Sequence, residues 1–238
     1  MLWYKAWLES RTRFLIALAG ITAIASDSIY RQVKDALPTS GMSYYYFVLH
    51  NCHQFLALLW VLAVTLLMMG GVVREKAVGA SSFTLTLPVS RRRLMWTRIA
   101  AGLAETVTLA IVPWSLMFAI ACTAGKPLSI EQALIHVTLM LAGGLFFFAT
   151  AVLCSSLLEG EYTAPLVAFG VIAAVAFTLN DPPLRNYSPW HMIFATNLLD
   201  RKQQLLSGPI PWPVIAGTVA VAGGMLVVSV KVVERREF

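Results

Sequence analysis

REKAVGASSFTLTLPVSRRR, Arg74 to Arg93, is the longest polar interruption in the first two-thirds of an otherwise apolar chain. The twenty positions before it, 54–73, carry no charge. A second long apolar run begins at Leu94, broken by Arg98 and Glu105. A stretch this polar between two runs of membrane length has to sit in water or among lipid headgroups. Arg74, Lys76, Arg91, Arg92, Arg93 and Arg98 stand against one acid, Glu75. That balance marks the loop as cytoplasmic, because cytoplasmic loops of membrane proteins collect Lys and Arg.

Composition agrees. Of 238 residues, 58% are hydrophobic and 13% charged, and the mean hydropathy is +0.72. A soluble domain carries about 25% charged residues. The shortfall leaves too little polar surface to clothe a water-soluble globule, so the chain is read as an all-α integral membrane protein. A net charge of +6 would suit nucleic acid, but the cations flank apolar runs and form no face of their own. Anchoring to headgroups accounts for them, and no nucleic-acid partner is expected. Cys52, Cys122 and Cys154 lie far apart in or beside apolar segments, with no CxxC, and are read as small buried hydrophobes.

Working outward from the loop, six spans are expected, at about 14–30, 51–73, 95–123, 132–158, 162–179 and 210–230 of a single domain covering 1–238. Ahead of the first, residues 1–13 set Trp3, Tyr4, Trp7 and Leu8 opposite Lys5, Glu9 and Arg13, the pattern of an amphipathic helix lying in the headgroup plane. Ala23-Ile24-Ala25 before Ser26 mimics a signal-peptidase site. The two tryptophans ahead of it are foreign to a signal n-region, and a retained span is expected. Pro113 predicts a kink or tilt in span three. Gly125-Lys126-Pro127 predicts a tight turn, and Ser129 with Gln132 a capping box for span four. Between spans five and six, Trp190–Leu206 is too polar to cross a bilayer yet rich in apolar residues. It is read as a broken, interfacial or partly re-entrant helical element. Ala216, Ala220 and Gly224 on span six form a stripe of small residues at four-residue intervals, suited to close helix packing.

Six spans put both termini on one side. The N-terminal segment, the loop after span two through Arg98, and the tail carry three, six and three cations, twelve in all. Arg31, Lys34, Lys126, Arg185, Arg201 and Lys202 make six on the other side, which places both termini in the cytoplasm.

Signatures of chemistry are missing. The chain has no GxxxxGK[ST], HExxH or GxSxG, so it is not expected to be an enzyme or to bind nucleotide. His50, Cys52 and His53 are metal-capable, but a helix turns Cys52 away from the two histidines and no fourth ligand is near. They are read as polar residues at a span boundary, and no metal is expected. Glu105 is the sharpest single residue. It lies on the order of 10–15 Å into the bilayer at ~1.5 Å per residue. An ionised carboxylate there costs about 3 kcal/mol unless paired or hydrated. Arg98, two turns earlier on the same face, is its nearest candidate partner. A translocation-path role and a purely structural clamp to another span remain open.

Within the opening stretch, Gly79 to Leu87 is uncharged, and Ser81, Ser82, Thr84 and Thr86 alternate with Phe83, Leu85 and Leu87 before Pro88 ends any helix. Glu75, Gly79, the helix around 81–87 and the run Leu87-Pro88-Val89-Ser90-Arg91 resemble the signature of type-two ATP-binding-cassette exporter permeases. The layout resembles that family too: an interfacial N-terminal helix, six spans, a cytoplasmic coupling helix and a broken element before the last span. The resemblance implies a permease subunit in the bacterial inner membrane, paired with a second copy or a similar subunit. It also implies a separate ATPase that holds the ATP and Mg²⁺ and docks on Glu75, Gly79, Phe83, Leu85, Pro88 and Arg91. The short outer loops, with no large outer domain, leave the substrate open. Apolar walls favour a lipid, a hydrophobic peptide or an amphiphilic drug. A non-transporting membrane anchor or sensor, and an intramembrane enzyme, are the alternatives.

Overall fold

The computed structural model describes residues 2–34, 47–68, 90–126, 128–158, 163–179, 182–195, 198–200, 205–206 and 209–235. Its elements are α1 (Leu2–Lys34), a π-helical turn (Phe47–Cys52) running into α2 (His53–Leu67), α3 (Arg91–Thr123), α4 (Ile130–Leu157) and α5 (Thr163–Thr178). The short helices α6 (Pro182–Arg185) and α7 (Pro189–Ile193) follow. Then come β1 (Leu199–Asp200), paired antiparallel with β2 (Leu205–Leu206), and α8 (Trp212–Arg235). α1, α3, α4 and α8 are long and apolar enough to cross a membrane, while α2 and α5 are shorter apolar helices of 15 and 16 residues. The loop segment from 69 to 89, and with it the expected coupling helix, lies outside the described residues.

The N-terminus differs from the expectation. The amphipathic stretch 1–13 and the first span are not separate elements, because α1 is one helix of 33 residues, ~50 Å at ~1.5 Å per residue. Nothing in the sequence breaks it: there is no proline, and Gly20 is the only glycine between Leu2 and Lys34. Its buried positions Ala6, Ser10, Phe14, Ile21, Ala25 and Ile29 fall at intervals of four and seven, a single stripe along the whole helix. That stripe packs on α3, so the amphipathic front is held by protein. Trp3, Tyr4, Trp7 and Leu8 stay exposed on the other side, as an interfacial belt requires.

Several sequence signals appear as local geometry. Ser90 caps α3, its hydroxyl accepting from Arg93 N–H at 3.3 Å, and Ser129 caps α4, accepting from Gln132 N–H at 3.5 Å. α3 runs through Pro113 as one helix. It ends where Gly125 adopts φ 72°. There Gly125 N–H donates to Cys122 O and Lys126 N–H to Ala121 O, the paired bonds of a Schellman stop. The element after span five is less helical than expected. Among the described residues of 190–206, helix covers Trp190–Ile193, and Ala195 at φ 52° turns the chain out of it. Cys52 and Cys154 are buried as anticipated, but Cys122 is exposed.

The core is built on α4, the most buried of the four long apolar helices. Phe147, Phe148, Met140, Leu109, Met117 and Trp60 are fully enclosed there. Gly143 and Gly144 make this possible on two sides of the helix. A Cβ on Gly144 would lie 2.0 Å from Trp60 Cζ3, and one on Gly143 2.8 Å from the Pro189 carbonyl oxygen of α7. Close approach of this kind holds membrane helices together, where dispersion replaces the hydrophobic effect. α8 presents Ile215, Thr218, Ala222, Leu226, Ser229 and Val233 inward. Its small-residue stripe Ala216, Ala220 and Gly224 is exposed and is not covered by any of the described residues.

Both ends of the bundle can be read from the ties between helices. Arg98 of α3 meets Glu9 of α1, and Arg92 of α3 lies 3.9 Å from Glu234 near the end of α8. At the far end, Lys126 Nζ donates to Val33 O of α1 at 3.3 Å. α1 and α3 therefore run side by side in the same direction, and both described termini of the chain lie at one end.

Candidate functional site

Polar side chains gather at two places inside this bundle, one near each end. The first forms where α1, the end of α2 and the start of α3 meet. On α3, Arg98, Gly102 and Glu105 fall on one stripe at intervals of four and three. On α1, Glu9, Ser10 and Arg13 face them. Gly102 lets α2 close in, since a Cβ there would lie 2.0 Å from Met68 Cε.

The pairing differs from the expected one. Arg98 is salt-bridged to Glu9, with Nε 3.0 Å from Glu9 Oε2 and the second guanidinium nitrogen donating to the same oxygen. Glu105 receives the Ser10 hydroxyl on Oε1. Glu105 is buried, and its Oε2 has no hydrogen-bond donor among the described residues. Arg13 completes the group. It donates to Leu66 O in the last turn of α2 at 3.2 Å and to Glu9 O at 3.1 Å, and its charge acts on Glu105. Two acids and two arginines thus balance at a three-helix joint. Many hydroxyls of the spans, such as those of Thr65, Thr97, Thr150 and Ser229, bond back to their own helix four residues earlier. Ser10 lies in the same position, 3.2 Å from Ala6 O, and also reaches across to Glu105.

The second place is at the opposite end. His53 at the start of α2 and His136 in the first turns of α4 stack edge to face, 4.5 Å between ring centres, with Trp114 of α3 at 5.7 Å from each. A carbonyl only accepts, so His53 carries its proton on Nε2 and donates it to Ile193 O of α7 at 2.8 Å. His136 likewise donates from Nδ1 to Gln132 O at 2.7 Å. The first of these bonds ties α7 to the start of α2, while the second stays within α4 and orients the His136 ring against His53. His191 on the exposed side of α7 is held below the ordinary imidazole range by partial burial and, second, by the Arg185 charge, which keeps the strap uncharged at neutral pH. Among the described residues no three His, Cys, Asp or Glu come together as a metal site.

Of the residues singled out from the sequence, Glu105 is at the first joint and Arg91 opens α3 directly after its cap. Glu75, Gly79, Phe83, Leu85 and Pro88 lie outside the described residues. Sequence reasoning missed Ser10 and the cross-helix roles of Glu9 and Arg13. The signal was available: Ala6, Ser10 and Phe14 form an i, i+4, i+8 stripe carrying a hydroxyl, flanked by charges that mirror Arg98 and Glu105. His136 was missed because its partner, His53, is 83 positions away, and only the fold sets the two at one depth.

No protein-family model matches the chain, and no curated protein matches it in sequence.

Proposed function

We propose that the chain is the permease subunit of an ATP-driven exporter of the type-two ATP-binding-cassette class. In this reading α1–α5 and α8 are six spans of a bacterial inner-membrane protein with both termini in the cytoplasm. Two permease subunits form the path, and a separate ATPase docks on the 74–93 loop and moves a hydrophobic or amphiphilic substrate outward.

The observation that carries the reading is where the signature run Leu87-Pro88-Val89-Ser90-Arg91 leads. Its Ser90 is the cap of α3, and α3 is tied through Arg98 and Glu105 to α1 and approached at Gly102 by α2. A push on the loop is therefore delivered to three helices at once, as a rigid-body displacement rather than a local bend. The loop leaves and rejoins the bundle at the end that carries both described termini, and that end gathers the larger share of the chain's cations.

Phe83 and Leu85 are the apolar anchors of the docking surface, and truncating a central apolar anchor costs over ~1 kcal/mol of binding. Phe83→Asp with Leu85→Asp is expected to give a permease that inserts normally yet no longer co-purifies with its ATPase or supports substrate-stimulated ATP hydrolysis. If the double variant still assembles at full strength, the docking site lies elsewhere. A complete absence of any co-purifying ATPase with the wild-type chain would remove the exporter reading itself.

A further inference from the structure

The α1–α2–α3 joint lines a partly open cavity of about 50 Å³, bounded by Glu9, Ser10 and Arg13 on one side, Met68 on a second, and Arg98 and Glu105 on a third. A single water needs about 10–15 Å³ of such space, so the cavity has room for on the order of one to three. Glu105, 4% exposed, sits in its wall with Oε2 lacking a donor among the described residues. A buried carboxylate oxygen left in that state bears the desolvation penalty uncompensated, the more so when ionised.

The charges around the cavity select its occupant. Arg13 and Arg98 repel a cation, and Glu9 and Glu105 repel an anion. The α2 wall contributes Leu67 and Met68 and no charge. What remains is a small neutral molecule that donates one hydrogen bond to Glu105 and accepts another from a guanidinium. We infer that this cavity is a water-binding site, in which bound water donates to Glu105 Oε2 and keeps that carboxyl in exchange with the aqueous phase at the end of the bundle carrying the termini. Glu105 is then a hydrated group at a helix joint rather than a dry clamp. The inference rests on the joint alone and stands whether or not the chain is an exporter.

Difference infrared spectroscopy on the purified full-length chain in lipid nanodiscs tests it. Subtracting the Glu105→Gln spectrum isolates the Glu105 carboxyl band. The expected result is a prompt downshift of that band on exchange from H₂O into D₂O, together with a frequency change in Ser10→Ala, which removes the donor to Oε1. A band unmoved by D₂O means a sealed, dry site and overturns the inference. A band that moves with added sodium chloride but not with D₂O makes the occupant an ion, which also overturns it. Should Glu105→Gln fail to insert, the wild-type minus Ser10→Ala difference contains the same band and is read by the same criteria.

Discussion

Gly144 leaves just enough room for Trp60 in the core. The indole ring is fully buried and its Nε1–H donates to Thr106 O at 3.2 Å, so it cannot retreat from an added methyl without losing that bond. Gly144→Ala is expected to cost about 1–3 kcal/mol through overpacking. Gly224→Ala, where a Cβ meets nothing within 4 Å, is expected to stay within about 0.5 kcal/mol. Thermal denaturation of the two variants in the same detergent compares them, and equal midpoints would mean that the ring adapts. The Glu9–Arg98 pair makes a second case. Both side chains are mostly shielded, and Lys5, 3.9 Å from Glu9, is its weaker neighbour. A double-mutant cycle of Glu9→Gln and Arg98→Gln is expected to show a coupling of about 0.5–3 kcal/mol, whereas strict additivity of the singles would show that the two do not act together. At this scale sequence reading reached Glu105 as a costly intramembrane acid but assigned it the wrong neighbour. The i, i+7 spacing of Arg98 and Glu105 is a local clue. The partners chosen in the structure lie about 90 residues away on another helix, which no spacing rule encodes.

Elements were more legible than residues, because capping and periodicity are local. Ser129 and Gly125 stand where their chemistry placed them, whereas the cap that Ser90 supplies was not read from the sequence. The exceptions are where tertiary packing overrides a local pattern. Residues 1–13 have the composition of an interfacial helix, yet their Ala6–Ser10–Phe14 stripe continues the buried face of the span, and α1 is unbroken. Amide hydrogen exchange in nanodiscs is expected to show Arg11–Leu18 as protected as 21–28, while a fast-exchanging gap near residue 13 would restore two elements. α7 offers the other element-level test. His53 is the side chain that fastens it, so His53→Leu, which keeps the apolar bulk, is expected to free the strap. Proteolysis at the exposed Arg185 should then accelerate, and an unchanged rate would show that the packing of Pro189, Met192 and Ile193 suffices without the bond.

For the molecule as a whole, composition alone was enough to announce a helical membrane protein, since 13% charged residues cannot clothe a soluble surface. Ends and sides are a finer matter. The structure sets both described termini at one end, and the cation bias assigns that end to the cytoplasm under the proposed topology. Cysteine labelling in intact cells checks the assignment: Leu85→Cys should be shielded from an impermeant reagent and Arg185→Cys should react. The reverse pattern inverts the topology and removes the docking argument with it. The long α1 also sets a timetable for biogenesis. Glu9 and its partner Arg98 are separated by 89 positions, which a ribosome takes roughly 4–20 s to traverse at about 5–20 residues per second. Under the proposed membrane placement, α1 spends that interval without the helix it was shaped to match, and Glu9 has Lys5 of its own helix, headgroups and water in place of Arg98. The tryptophans on its outer face, which stay exposed in the finished bundle, then moor the nascent helix as well as the mature one.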